Sequence, residues 1–211
     1  MGPIKRYQRG NVEMKTILLE GTELSGKTTL AKSVRQRLTN EGFSIVINSG
    51  PINKTLSLVN TPLNITKKIH SPSFKEFLYT LSLITDRDPK EMYPEVDFFM
   101  QERYFPSVMA YSRVFNSFGI NRYVGDYLQR FYPSFDINVL VKTSLETRLE
   151  RIKARNVKTK LDEIIEERPQ LASDLEREIQ RVLCKERNYF ELNTDEMNID
   201  EVTEEIYRRI I

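Results

Sequence analysis

The sequence predicts an α/β fold: a three-layer sandwich in which a five-stranded parallel sheet carries helices on both faces. Three observations predict it. The segments 16–20, 43–48, 96–101, 136–142 and 189–193 are short and mostly apolar rather than alternating, as strands buried on both faces are. Stretches with apolar residues at helical spacing lie between them, which is the order of a βαβ chain. At 211 residues the chain suits one domain with a sizeable core and at most a small lid.

The elements follow in order. Residues 1–13 are polar and basic and read as a flexible tail, so the folded domain is expected over 14–211. "TILLE" (16–20) is a strand that ends at a glycine. "TTLAKSVRQRL" places Leu30, Ala31, Val34 and Leu38 on one helical face, and Gly42 is a stop signal. "FSIVIN" (43–48) is the second strand. Residues 52–72 have no clear period, with Pro62 and Pro72 limiting any helix. "SFKEFLYTLSLITDR" (73–87) carries a helical stripe through Phe77, Leu81 and Ile84. "VDFFMQ" (96–101) is the third strand, with a helix behind it and another around 121–131. "DINVLVK" (136–142) is the fourth strand. "TSLE" (143–146) reads as a capping box with Thr143 as the cap. The helix it opens is basic, through Arg148, Arg151, Lys153 and Arg155. A charged connector and an amphipathic helix after Pro169 lead to the fifth strand. A closing helix starts at Asn198, with Glu201 spaced for a second capping box.

Composition excludes several classes. Net charge is only +2, so neither nucleic acid nor a membrane surface is favoured as a partner. No apolar run approaches a membrane span. A single cysteine, Cys184, rules out a disulfide framework and points to a reducing, cytoplasmic compartment. Cys184 is expected to pack inside, and His70 to lie on the polar surface.

"GTELSGKT" (21–28) fits G-x-x-x-x-G-K-[ST] at every fixed position, between a strand and a helix. Such a P-loop turns successive backbone N–H groups, and the positive end of the helix, onto phosphate oxygens. Gly21, Thr22, Leu24, Ser25, Gly26, Thr28 and Thr29 are therefore expected around ATP. Lys27, read as an exposed loop residue, is expected on the β- and γ-phosphates, and Thr28 on Mg²⁺. The motif fixes a nucleotide site and leaves the phosphoryl acceptor open.

"QERYFPSVMAYSRVF" (101–115) resembles the D-R-[YH]-x-x-S-x-x-A-Y-Q signature of thymidylate kinases, with Arg103, Tyr104, Ser107, Ala110 and Tyr111 in place. "FYPSFDINVLVKTS" is similar to that family's segment before the lid, "ERIKAR" to its lid arginines, and "FLYTLSLITDR" to its nucleoside-side helix. The resemblance implies a P-loop kinase fold with a lid near 151–162. It implies an ATP-dependent transfer to a nucleoside monophosphate, preferably dTMP, in a homodimer. It places Arg103 on the acceptor phosphate, since an arginine fork grips phosphate bidentately. It places Glu102 near Mg²⁺, Arg151 on the transferred charge and Arg155 on adenine. Glu23, Tyr79, Leu83, Arg87 and Tyr111 fall on the acceptor side.

This sequence also departs from the pattern. "SGPIN" lacks the arginine expected after the second strand. Leu83 stands where an aromatic would stack on thymine. Ser112 replaces a glutamine, and Leu24 stands where one branch carries an arginine. "ER" at 102–103 is also similar to deoxyribonucleoside kinases. A different small acceptor, or nucleotide binding without acceptor chemistry, therefore stay open as alternatives.

Overall fold

The computed structural model describes residues 13–53, 79–115 and 120–211. The expected tail, the ambiguous stretch to residue 72, His70 and the first part of the 73–87 helix lie outside the described residues. The elements are β1 (Lys15–Glu20), α1 (Lys27–Asn40), β2 (Ile45–Ser49), a helical stretch α2 (79–84), a single turn α3 (Pro89–Met92), β3 (Phe98–Glu102), α4 (Phe105–Val114), α5 (Ile120–Leu128), β4 (Ile137–Lys142), α6 (Leu145–Lys153), α7 (Lys160–Glu167), α8 (Gln170–Leu183), β5 (Tyr189–Asn193) and α9 (Ile199–Ile210).

The strands form one parallel sheet in the order β2-β3-β1-β4-β5. β1 is central and pairs with β3 and β4, so its C-terminal end opens into the middle of the sheet. Side chains alternate along each strand, and here both faces are buried. Leu18, Phe99 and Leu140 point to the side covered by α4 and α8. Ile17, Leu19, Phe98, Met100, Val139 and Val141 point to the side covered by α1 and α9. A smaller apolar cluster of Ile152, Ile165 and Ala172 joins α6, α7 and α8.

Three local expectations change. The residues read as a charged connector after 158 form α7, whose capping box is Thr159 with Asp162. The cap of α6 is Ser144, whose hydroxyl accepts from Thr147 N. Thr143 sits one residue too early and donates instead to Asp195 Oδ1 at 2.7 Å. The Asn198–Glu201 capping box forms as expected. Cys184 is exposed at the end of α8, not packed inside.

Candidate active site

β1 runs into the loop at Gly21, and glycine is required there. The backbone has φ 147°, and a Cβ would stand 2.4 Å from Val141 O on β4. Gly26, at φ 97°, caps α1 with no side-chain bond, and no acidic residue occupies the first turn. The N–H groups at that helix end thus remain open to an anion. Lys27 curls back over the loop, its Nζ donating to Thr22 O at 2.6 Å and to Ser25 Oγ at 3.2 Å. It is buried, only 6% exposed, contrary to the exposed loop lysine expected from sequence. Burial, then the neighbouring Arg103 guanidinium, pushes its pKa down to about 7, against the pull of Glu23, Glu20 and Glu102.

Around this loop lies a cavity of about 620 Å³. Glu23, Leu24, Gly26, Lys27, Thr28, Thr29, Glu102, Arg103, Arg151 and Arg155 all line it, so the structure brings these predicted residues together. Thr22 and Ser25 are buried residues of the loop itself. Thr28 Oγ1 donates to Glu102 Oε2 at 2.6 Å, joining the first turn of α1 to the end of β3. Among the described residues no cluster of three or more His, Cys, Asp or Glu could hold a metal alone. A hydroxyl and one carboxylate still suit Mg²⁺, which takes its remaining ligands from phosphate and water.

Arg103 Nη2 lies 2.8 Å from Glu23 Oε1, a close ion pair. The same nitrogen is buried and makes no well-aligned hydrogen bond, so the contact is electrostatic. Arg103 has a left-handed backbone, φ 59°, which is uncommon for a non-glycine residue. Its guanidinium carbon is 6.0 Å from the Tyr111 ring.

Arg151 and Arg155 line the same cavity from α6 and the residues just after it. Arg151 Nη1 donates to Leu24 O at 2.6 Å, placing a cation on the P-loop. Arg155 pairs with Asp162 at 2.9 Å, on the buried carboxylate that caps α7. Leu24, at φ 63°, packs its side chain against the apolar cluster of α6, α7 and α8. Where an arginine would supply charge, this leucine couples the loop to α6, α7 and α8.

The loop after β5 was missed by sequence reasoning. Thr194, Met197, Asn198 and Ile199 line the cavity. Thr194 Oγ1 donates to Ser25 O and to Lys142 O, both at 3.2 Å. "NTDEMN" carries no motif, but ligands of parallel sheets sit at the C-terminal strand ends, and that rule points to this loop.

Of the residues expected on the acceptor side, Tyr79 is half-buried near Gly50, where an added Cβ would lie 3.9 Å from its hydroxyl. Burial pushes that phenol up to about 12, so it stays a donor. Arg87 is exposed just past α2. Leu83, also expected there, has no exposed surface and belongs to the apolar cluster with Ile52 and Tyr104, so it packs in the core. Asp86 does not pair with Arg87. It accepts Ile52 N at 2.9 Å, Asn53 N at 2.8 Å and Tyr104 Oη at 2.8 Å, tying the loop after β2 to α4.

A central P-loop strand, a 2-3-1-4-5 parallel sheet and arginines converging from the ends of β3 and α6 define a P-loop phosphotransferase that acts on a nucleotide. The sequence profile of thymidylate kinase matches residues 19–206. The chain belongs to the thymidylate kinase family. It is 28% identical over 207 residues to a probable thymidylate kinase of Sulfolobus acidocaldarius, covering 92% of this chain and 95% of that one. It is 28% identical over 153 residues to a probable thymidylate kinase of Metallosphaera sedula, covering 71% and 70%. The structure of thymidylate kinase from Candida albicans superposes with a TM-score of 0.63 over 94% of this chain and 91% of that one. At 17% identity that likeness speaks for the fold. No helix among the described residues is long and apolar enough to cross a membrane.

Proposed function

We propose that this kinase transfers the γ-phosphoryl of ATP to dTMP. The observation that carries the reading is the Glu23–Arg103 pair at 2.8 Å, in the same cavity as Lys27. A carboxylate on the donor loop and an arginine at the end of β3 meet where a sugar and its phosphate would face ATP. In this reading the acceptor phosphate takes Arg103, and Glu23, released, takes the sugar-hydroxyl region. Lys27 lies on the β- and γ-phosphates, whose negative charge restores the ammonium that burial disfavours. Thr28 and Glu102 would hold Mg²⁺, which would supply charge neutralisation on the phosphates. Arg151 stabilises the transferred charge, and Arg155 leaves Asp162 to stack on adenine.

The engagement of Glu102 by Thr28 supports a metal role over that of a general base for a nucleoside hydroxyl. The names of the archaeal relatives support thymidylate as the acceptor. The homodimer belongs to the same reading, and α5 leaves Tyr123 and Tyr127 exposed for such a contact.

The test is a panel assay. The full chain is incubated with Mg-ATP and each of several nucleosides and monophosphates, and ADP is measured. The expected result is the highest kcat/KM with dTMP. Turnover confined to another acceptor would overturn the substrate.

A further inference from the structure

The carboxylate of Glu20 is fully buried at the end of β1, one residue before the P-loop, and it does not line the cavity. It accepts Tyr104 N at 2.7 Å, Ser107 N at 3.3 Å and Ser107 Oγ at 2.5 Å. Those donors belong to the first turn of α4, which has no side-chain cap of its own. A residue from another strand therefore satisfies the open N–H groups that a local cap would normally take.

The segment held this way begins with Arg103. Its N–H donates to Leu19 O at 2.9 Å. Its carbonyl accepts Gln101 Nε2 at 2.8 Å. The next N–H, that of Tyr104, goes to Glu20. Gln101 is itself buried and also donates to Gly50 O at 3.0 Å, while Asn48 Nδ2 donates to Gln101 Oε1 at 2.8 Å. A left-handed non-glycine backbone persists only where its surroundings over-determine it. Here each polar group on either side of Arg103 is fixed by a buried partner from the strand ends.

We infer that Glu20 is a positioning residue for Arg103, and that Glu20 and Gln101 together form a buried clamp that aims its guanidinium at the acceptor phosphate. The inference rests on the proposed acceptor role of Arg103, and the clamp itself is tested without that role. Neutral groups would fill the same space. A carboxylate accepts all three donors at once, and its negative charge favours keeping a cation at position 103 in a buried site.

The experiment compares wild type, Glu20→Gln, Glu20→Ala and Ser107→Ala as full-length chains. Amide hydrogen exchange over residues 103–109 reads the clamp. ATP affinity by calorimetry and KM for the acceptor the wild type uses read the consequence. Glu20→Ala is expected to raise exchange at residues 104 and 107 at least 10-fold and acceptor KM about 10-fold, with ATP affinity changed less than 2-fold. Glu20→Gln, nearly the same shape, and Ser107→Ala are expected to raise acceptor KM about 3-fold. If Glu20→Ala does not fold, the two milder variants decide. Unchanged exchange and unchanged acceptor KM in folded variants would overturn the clamp. Equal losses for ATP and acceptor would make Glu20 a general structural residue and overturn the assignment. Wild-type turnover with an acceptor other than dTMP would move the proposed substrate and leave the exchange result to judge the clamp.

Discussion

The two ends of the sheet use the same device with opposite consequences. At the N-terminal edge, Asp136 accepts Thr16 N at 2.8 Å and Thr16 Oγ1 at 3.0 Å, and Asp97 accepts Ser44 N at 2.7 Å and Ser44 Oγ at 2.6 Å. At the C-terminal edge, Glu20 accepts backbone and hydroxyl donors in the same way. Asp136 keeps about a third of its side chain exposed and has Lys90 at 3.4 Å. Burial acts to raise its pKa, but the Thr16 bonds and Lys90 outweigh burial and hold it below the usual carboxylate range. Glu20 has no exposure, and burial wins, pushing it above that range despite Ser107, Tyr104, Arg103 and Lys27. The staple at one edge serves folding. The one at the other edge places a charge where folding alone would not, beside the arginine and lysine of the site.

The largest effect should come from removing the charge that the C-terminal edge holds against its preference. Lys27→Ala is expected to lower kcat by about 10²–10³-fold, the scale for losing one aimed charge-stabilising donor. Because the ammonium is buried with only a carbonyl and a hydroxyl as direct partners, its loss should leave thermal stability equal or higher. Steady-state kinetics and a melting curve check both halves. A fully active variant would place the phosphate site elsewhere.

Next in size is Glu23→Ala. It removes the ion-pair partner of Arg103 at the partly exposed rim of the cavity. Acceptor KM should rise about 10-fold, near 1.4 kcal/mol, while KM for ATP stays within 2-fold. Unchanged acceptor kinetics would free Glu23 of that role and break the link between donor loop and acceptor.

The contrast between the edges also explains what the sequence made legible. The parallel sheet was readable because each strand is mostly apolar, and the P-loop because its glycines answer a steric demand, as Gly21 against Val141 O shows. Thr28, Glu102, Glu23 and Arg103 were readable as residue types at motif spacing, and they do converge. What sequence reasoning missed depends on contacts made only in three dimensions. Lys27 looked exposed because loop position hides tertiary burial. The family resemblance alone put Leu83 on the acceptor side, and the helix turns it into the core. Asp86 carries no motif, yet it binds amides that are 33 and 34 residues away. Thr194 has no motif, and only the return of β5 beside the loop gives it a role.

The smallest effect sharpens the comparison most directly, because the two carboxylates should tilt stability against pH in opposite senses. For Asp136 the folded pKa lies below the unfolded one. The unfolded state then binds more protons in that window, and the stabilisation, complete above the unfolded pKa, is lost as pH falls through the folded pKa. Asp136→Asn should therefore cost about 1 kcal/mol near pH 7, lowering Tm by about 2–4 °C, and the difference from wild type should shrink on acidification. For Glu20 the folded pKa lies above the unfolded one. The folded state binds more protons, and stability declines as pH rises from the unfolded pKa through the folded pKa. Glu20→Gln should thus melt at or above wild type near pH 8 and lose that advantage below pH about 4.5, the unshifted carboxylate value. Melting curves of the three proteins across pH 4–8 check the pair of slopes. A Glu20→Gln deficit that grows toward pH 8 would mean that its three hydrogen bonds outweigh its burial. The C-terminal edge would then be a staple of the same kind as Asp136.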